Sequence, residues 1–187
     1  MNTEVSISSA TDVLLVLLYA PGISNKEGEP IHGITRLEKL MFLLEKETSF
    51  KEIINKNYKF DAYDYGPFSS EIFDDIESLK SAGILNESKS GGHKLEYIDF
   101  EENEMNVYET ISSSPSIKKY ELTPKGIAIG KILFESLSDI QKKEILRIKS
   151  EFNSNSMSIN KLLSYVYRGY PDFTKKSVIR NQILHSY

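Results

Sequence analysis

Apolar residues recur with the period of an α-helix along most of this chain. The uninterrupted apolar run 13–18 favours a buried helix over 9–19. This run is too short to cross a bilayer, and no basic residue precedes it as in a signal peptide. The sequence therefore predicts no membrane segment. Further helices are predicted over 35–44, 50–57, 70–82, 124–136, 139–152, 158–168 and 174–184.

Capping residues mark the starts of several predicted helices. Thr35 is followed three residues later by Glu38, the spacing of a reciprocal capping box. Thr123 precedes Pro124, which combines an N-cap hydroxyl with a proline at the first helical position. Ser138 is the predicted cap of the helix over 139–152. The residues of that helix predicted to face the core are Ile140, Ile145, Ile148 and Phe152.

A different pattern surrounds Gly66 and Pro67. Residues 58–65 alternate like a strand, and the glycine and proline then interrupt the extended chain. Ser69 or the serine after it is predicted to cap the next helix with its hydroxyl, and Gly83 to end that helix. The sequence thus predicts an extended arm, a rigid corner and an amphipathic helix in succession.

Beyond this helix, short alternating segments predict strands. The chain is polar over 86–92, with a turn expected at 90–92, and strands are expected at 94–100, 105–111 and 117–122. The chain is therefore expected to form an α+β fold, mainly α, with a small antiparallel β-hairpin or meander.

The order of the predicted elements is that of a winged-helix-like domain with C-terminal helices. We expect this domain over 1–136 and a C-terminal helical extension over 137–187 that packs on it. One feature differs from a helix-turn-helix, because roughly 20 residues separate the second and third helices instead of the usual 3–4.

Four motifs carry a resemblance to known proteins. They are Arg36-Leu-Glu-Lys39-Leu-Met-Phe-Leu, Tyr65-Gly66-Pro67-Phe68-Ser69 followed by Glu71, Leu79 to Ile84, and Tyr120-Glu-Leu-Thr-Pro-Lys-Gly126. Over residues 34–130 the chain resembles the YwgA-like proteins of bacteria and archaea. It is more distantly similar to the Panacea domain of SocA-type antitoxins. Both groups share a basic helix and an aromatic-Gly-Pro corner.

The resemblance implies a regulatory protein that binds another protein as an antitoxin or adaptor does, with DNA contact as a further option and no implied enzymatic activity. The structural or binding motif that it implies consists of Arg36, Lys39, Tyr65, Gly66, Pro67, Phe68 and Ser69. This chain has Leu37-Glu38 where the family often has Lys-Gln, so the helix is less basic. From their place on a first helical turn, Arg36 and Lys39 are expected to reach solvent, a carboxylate or a backbone carbonyl near the corner.

The amino-acid composition of the chain restricts the classes of function that it can have. The 187 residues are 40% hydrophobic, enough for a sizeable core, and the absence of cysteine excludes disulfides, thiolate catalysis and cysteine-based zinc sites. A cytoplasmic protein is expected. The net charge of −4 is uneven, because 1–138 hold 14 Lys and Arg against 23 Asp and Glu, whereas 139–187 hold 9 against 4. An acidic body with a basic end can pair within itself, with a second copy or with an anionic partner.

A winged helix usually reads DNA with its third helix, and here that helix is acidic. It carries Glu71, Asp74, Asp75 and Glu77 against Lys80. These carboxylates would repel phosphates, whose contacts dominate DNA affinity. The basic residues best placed for nucleic acid are Lys89, His93 and Lys94. A C-terminal cluster has the composition of a protein interface, although core packing explains it nearly as well: Tyr165, Tyr167, Arg168 and Tyr170.

The motifs for other chemistry are weak, so no catalytic residue, cofactor or metal is predicted. The histidines are isolated in sequence and lack ligand spacing. Ser158 and Lys161 match S-x-x-K without its companion motifs, which favours a serine helix cap. Residues 126–131 resemble a phosphate loop but have the wrong spacing and lie in a predicted helix. A hydrolase built from scattered Asp, Glu and His residues around a deep pocket is the remaining enzymatic rival.

The sequence therefore favours a non-enzymatic regulatory module that binds a protein, either a toxin or a second copy of itself, in toxin–antitoxin or phage-defence regulation. The alternative is a winged-helix transcription regulator that acts as a homodimer and contacts DNA through its wing.

Overall fold

The computed structural model describes residues 5–91 and 116–185. The elements are α1 (Ala10–Tyr19), β1 (Ile31–His32), α2 (Ile34–Glu47), α3 (Phe50–Ile53), β2 (Asp61–Tyr63), β3 (Gly66–Phe68), α4 (Ser70–Ser81), β4 (Leu85–Gly91), β5 (Ser116–Leu122), α5 (Pro124–Glu135), α6 (Asp139–Phe152), α7 (Ile159–Gly169), a 3-10 turn (Pro171–Thr174) and α8 (Arg180–His185). The predicted class is confirmed, since the fold is α+β, mainly helical, with small antiparallel sheets. Within the described ranges, every helix is too short or too polar to cross a membrane.

Local capping explains where four helices begin. Ser9 and Asp12 form a capping box at α1, and Ser138 forms one with Gln141 at α6. The hydroxyl of Thr123 accepts from the backbone N–H of Gly126 at the start of α5. The predicted caps at Thr123, Ser138 and Ser158 are confirmed, the last accepting from the N–H of Lys161 at 3.3 Å.

Three strands form an antiparallel sheet in the order β1-β5-β4. The register of β4 with β5 runs from Leu85 opposite Leu122 to Gly91 opposite Ser116. The predicted turn over 90–92 is therefore wrong at Ser90 and Gly91, because both pair with β5, and Gly92 lies outside the described residues. Strand 117–122 is confirmed, and the strands predicted at 94–100 and 105–111 lie outside the described residues.

Helix α2 lies at the centre of the molecule and contacts α3, α6, α7, β1 and β3. One continuous hydrophobic core runs from Leu17 on α1 to Ile145 on α6 and Leu162 on α7, so residues of 1–136 and 137–187 share it. The prediction that Ile140 faces this core is wrong, because its side chain is 67% exposed. Ile145, Ile148 and Phe152 are buried as predicted.

The glycines of α5 allow close packing. A Cβ on Gly130 would lie 2.6 Å from Cβ of Tyr19, and one on Gly126 would collide with the carbonyl oxygen of Ile84. These glycines therefore bring α5 against α1 and the sheet, as expected for a helical segment that is not a phosphate loop.

The C-terminal segment departs from the predicted helix over 174–184. It forms the 3-10 turn and then α8, separated by residues that bond the β2–β3 hairpin. The N–H of Val178 and the hydroxyl of Ser177 both donate to the carbonyl oxygen of Asp64, at 3.0 and 2.9 Å. These tertiary bonds compete with the hydrogen bonds of a continuous helix.

Candidate functional site

The corner at Gly66 and Pro67 is one strand of a hairpin, which corrects the prediction that extension stops there. β2 and β3 pair antiparallel, with Tyr63 opposite Gly66. Gly66 has a φ of +91°, which glycine adopts without strain, and a Cβ there would lie 2.8 Å from Cε1 of Tyr167. The close approach of α7 therefore requires a glycine at this position.

Two buried charges of α2 hold the corner from inside. The Lys39 ammonium, 1% exposed, donates to the carbonyl oxygen of Pro67 at 2.9 Å and lies 3.3 Å from Oε2 of Glu38. Oε1 of Glu38 accepts from the N–H of Ser69 at 3.5 Å. A buried charge is tolerated when it is paired and hydrogen-bonded. The expectation that Lys39 meets a carboxylate or carbonyl near the corner is confirmed.

The predicted capping box at the start of α2 is wrong. The helix begins at Ile34 after Gly33, and no side chain caps it. Glu38 turns inward toward Lys39 and the corner instead of back to the backbone of Thr35. Its tertiary partners therefore replace the local partner that the sequence suggested.

Arg36 is 2% exposed and lies inside the protein. Its guanidinium donates to the carbonyl oxygens of Phe152 and Met157, the second at 2.7 Å. Phe152 ends α6, where helix carbonyls lack intrahelical partners. Arg36 therefore joins α2 to the segment between α6 and α7, and its carbonyl partners belong to that segment instead of the corner.

Ser69 occupies the N-cap position of α4 as predicted, but its hydroxyl makes no capping hydrogen bond. Its Oγ is buried and has no hydrogen-bond partner in the described part of the chain. The backbone of Ser69 does the bonding instead, since its N–H donates to Glu38 and its carbonyl accepts from Ile72 at 3.3 Å.

Lys149 is a buried cation that sequence reasoning missed. Its ammonium is fully buried and donates to the carbonyl oxygens of Leu17 and Leu18, at 2.8 and 3.0 Å, at the end of α1. Burial lowers the pKa of Lys149 to about 7, and the charge of Glu29 opposes that change. The available signal was its position four residues after Ile145, on the inward face of α6.

The outer face of α4 is acidic. Its exposed residues are Ser70, Asp74, Glu77, Ser78 and Ser81. Lys80 is only partly exposed and lies 2.7 Å from Glu77 and 3.2 Å from Glu87. These two ion pairs commit Lys80 to neighbouring carboxylates, and the hydrogen bond to Glu77 raises its pKa. The face that a winged helix would turn to DNA thus carries negative charge.

Three aromatic rings form a row beside α4. The ring of Tyr63 lies 4.9 Å from that of Phe68, and Phe68 lies 5.5 Å from Phe73, with interplanar angles of 33° and 38°. Tyr63 is 51% exposed, while Phe68 and Phe73 are half-buried. Tyr65, the first residue of the corner motif, is also half-buried. This ring row is an accessible aromatic surface.

The C-terminal tyrosines take different positions. Tyr167 is 1% exposed and packs inside the protein, where burial raises its pKa to about 12. The hydroxyls of Tyr165 and Tyr170 donate to the same Oε1 of Glu47, at 2.9 and 3.1 Å. Arg168 is exposed. Of the four residues proposed as an interface, Tyr165, Tyr170 and Arg168 therefore reach the surface.

The candidate nucleic-acid contacts are only partly described. Lys89 is exposed on β4 and lies directly opposite Lys118 on β5, a residue that sequence reasoning did not single out. Lys118 is 3.5 Å from Glu87. His93 and Lys94 lie outside the described residues.

A surface pocket of about 330 Å³ lies between the start of α1 and α4. Because carboxylates line it, this pocket bears on the alternative hypothesis of a hydrolase. Its lining includes the carboxylates of Glu71, Asp74 and Asp75. Asp75 accepts from the hydroxyls of Thr11 and Tyr58, both at 2.6 Å. The Thr11 bond joins α1 to α4, and the Tyr58 bond joins the segment before β2 to α4.

The other carboxylates of this pocket are those of Glu71 and Asp74. Lys56, 2.7 Å away, lowers the pKa of Glu71, which makes Glu71 a poor general acid. The described lining residues include no histidine. Across 5–91 and 116–185, no group of three or more His, Asp or Glu side chains is arranged to hold a metal ion.

Comparison with protein-family models, curated proteins and solved structures found no match to this chain.

Proposed function

We propose that this protein is a non-enzymatic regulatory module that binds another protein, as an antitoxin or adaptor does. The observation that carries the proposal is the outer face of α4, where Asp74 and Glu77 are exposed and Lys80 is committed to carboxylates. Such a face repels phosphate but complements a basic protein surface.

The order of elements supports a winged-helix-like arrangement as part of this proposal. β1 lies between α1 and α2, and the antiparallel strands β4 and β5 follow α4. The buried motif residues Arg36, Lys39 and Ser69 would then set the shape of the module. The partner would then bind to the exposed surfaces of α4 and of the adjacent β2–β3 hairpin.

The test is capture from cells with the tagged full chain, together with a salt titration on DNA from its own promoter. We expect a stoichiometric protein partner that survives nuclease treatment and dissociates as salt rises. The double variant Asp74→Lys, Glu77→Lys should lose this partner. Glu135→Lys, which changes an exposed carboxylate on α5, is the matched control and should retain it.

Tight and specific DNA binding without a protein partner would contradict the proposal. Specific binding tighter than about 10⁻⁸ M at physiological salt, with no co-purifying protein, would assign the chain to transcription regulation instead.

A second candidate function, DNA contact by a homodimer, is favoured by one observation. Lys89 on β4 lies directly opposite Lys118 on β5, so two cations lie together in the half of this strand pair nearer Gly91 and Ser116. Replacing both by alanine should weaken DNA binding equally for all sequences and reduce its salt dependence. DNA binding that this double variant leaves unchanged would exclude that route.

A further inference from the structure

We infer that the ring row of Tyr63, Phe68 and Phe73, together with Asp61, binds an arginine side chain of the partner protein. This inference rests on the proposed protein-binding function and specifies where, and through which chemistry, the partner is held.

The geometry leaves one end of the ring row open. Successive rings are 4.9 and 5.5 Å apart, and the terminal ring of Tyr63 is 51% exposed. A guanidinium is planar and weakly hydrated, so it stacks well on an aromatic face. The exposed ring of Tyr63 therefore offers a surface of suitable shape and polarity.

Asp61 supplies the negative charge at this surface. It is exposed, and it lies directly opposite Phe68 in the β2–β3 ladder, so the two side chains share one face of the hairpin. Asp61 makes no ion pair within the described ranges. A carboxylate beside an aromatic face can accept hydrogen bonds from a guanidinium that stacks on the ring.

The neighbouring charges strengthen this preference. Glu77 lies one helical turn beyond Phe73 on α4, and the exposed carboxylate of Asp74 lies next to Phe73 in sequence. Glu71 adds a further carboxylate, which accepts from the backbone N–H of Lys59 at 2.9 Å and pairs with Lys56 at 2.7 Å. The surface around the ring row therefore favours a cation over an anion.

Arginine fits better than lysine for a physical reason. An ammonium is a strongly hydrated point charge, whereas a guanidinium can stack on Tyr63 and bond Asp61 at once. A segment that carries arginine beside aliphatic residues would also cover the apolar edges of the half-buried rings. We therefore expect this surface to attract both cations but to bind arginine more tightly than lysine.

The test uses a defined probe and the full chain labelled with 3-fluorotyrosine. The probe is a capped eight-residue peptide that alternates arginine and leucine, compared with versions containing lysine or citrulline in place of arginine. The ¹⁹F resonance of Tyr63 is assigned from its loss in Tyr63→Phe. We expect the arginine peptide to shift this resonance, with about threefold to tenfold weaker binding for lysine and a larger loss for citrulline.

Matched variants separate this surface from other exposed tyrosines. Asp61→Asn and Tyr63→Ala should each weaken the arginine peptide by about threefold to tenfold. Tyr165→Ala is the control, because Tyr165 is 44% exposed but packs on Phe152 and bonds Glu47 elsewhere on the molecule. Equal binding of the citrulline peptide, or unchanged binding by Asp61→Asn, would overturn the inference.

The fate of the cellular partner distinguishes this inference from the general function. A captured protein that tolerates Asp61→Asn and Tyr63→Ala would leave the protein-binding function standing and exclude this surface. A homodimer that Tyr63→Ala dissociates would overturn the assignment to a foreign partner, since a second copy would then be the occupant.

Discussion

Lys149 and Lys80 are both helical lysines, but they lie in different regions and have different partners. In the interior, Lys149 donates to two backbone carbonyls of α1, and Arg36 and Lys39 likewise donate to carbonyls of other elements. At the outer surface, Lys80 lies between the carboxylates of Glu77 and Glu87. The pKa values move in opposite directions, because burial lowers that of Lys149 and the hydrogen bond to Glu77 raises that of Lys80.

The interior charges and the outer charges therefore affect different properties of the protein, stability and binding respectively. Interior cations join segments that are distant in sequence, and removing one leaves desolvated carbonyls without a donor. Outer charges are screened by solvent and contribute little to stability, but they set the field that a partner meets. Substitutions in the interior should therefore change stability, and substitutions outside should change binding.

The largest effect is expected for Arg36→Ala. We expect the free energy of unfolding to fall by about 3–5 kcal/mol, because two carbonyls lose their donor and a buried volume is emptied. The measurement is urea unfolding. Arg168→Ala removes an exposed arginine and should change stability by less than about 0.5 kcal/mol. Equal stability of the two variants would contradict the conclusion that interior charges stabilise the fold more than surface charges do.

The pH dependence of stability sharpens the comparison at Lys149. Its pKa is about 7 in the folded protein against 10.5 in the unfolded chain, so between these values the unfolded chain binds more protons. Stability should therefore rise with pH, by on the order of 2–3 kcal/mol between pH 7 and 9.5. Denaturant unfolding at each pH measures this rise.

The control for that prediction is Lys149→Met, which removes the titrating amine and should flatten the curve over this range. Above about pH 10 the buried tyrosines act in the opposite sense, because the unfolded chain ionises them first. Tyr167, with its pKa raised to about 12, is one of them. A slope that persists in Lys149→Met would assign the pH dependence to another group.

Gly66→Ala tests the corner that Lys39 holds from inside. The new Cβ would lie 2.8 Å from Cε1 of Tyr167 at a φ of +91°, so a loss of about 1–3 kcal/mol is expected. Gly169→Ala is the matched control, because nothing lies within 4 Å of its Cβ position and it ends α7. Thermal unfolding should show the control at or above the parent stability. A fully stable Gly66→Ala would contradict the close approach of α7.

The smallest effect is expected for Lys80→Ala at the surface. Two partly exposed ion pairs are lost, and stability should change by less than about 0.5 kcal/mol. Removing this cation also makes the α4 face more acidic, so capture of a basic partner should become tighter at low salt. A large loss of stability would show that the outer charges are structural as well.

Local signals in the sequence determined the helices that cap themselves. The hydroxyls of Thr123, Ser138 and Ser158 each accept a bond from an N–H three residues later, so their partners lie within the predicted segment. The same reasoning identified the acidic character of α4. These features depend on neighbours only a few residues away.

Long-range contacts decided the rest. Arg36 bonds a carbonyl 116 residues away, and Lys149 bonds one 132 residues away, so no local pattern identifies either partner. Glu38 matched a capping box by spacing, yet its inward partners were brought together only by the β2–β3 hairpin. The exposure of Ile140 likewise depends on which side of α6 the core reaches. A side chain's type and spacing can be read from the chain, but the carbonyl, ring or solvent that it meets is set by packing between distant elements.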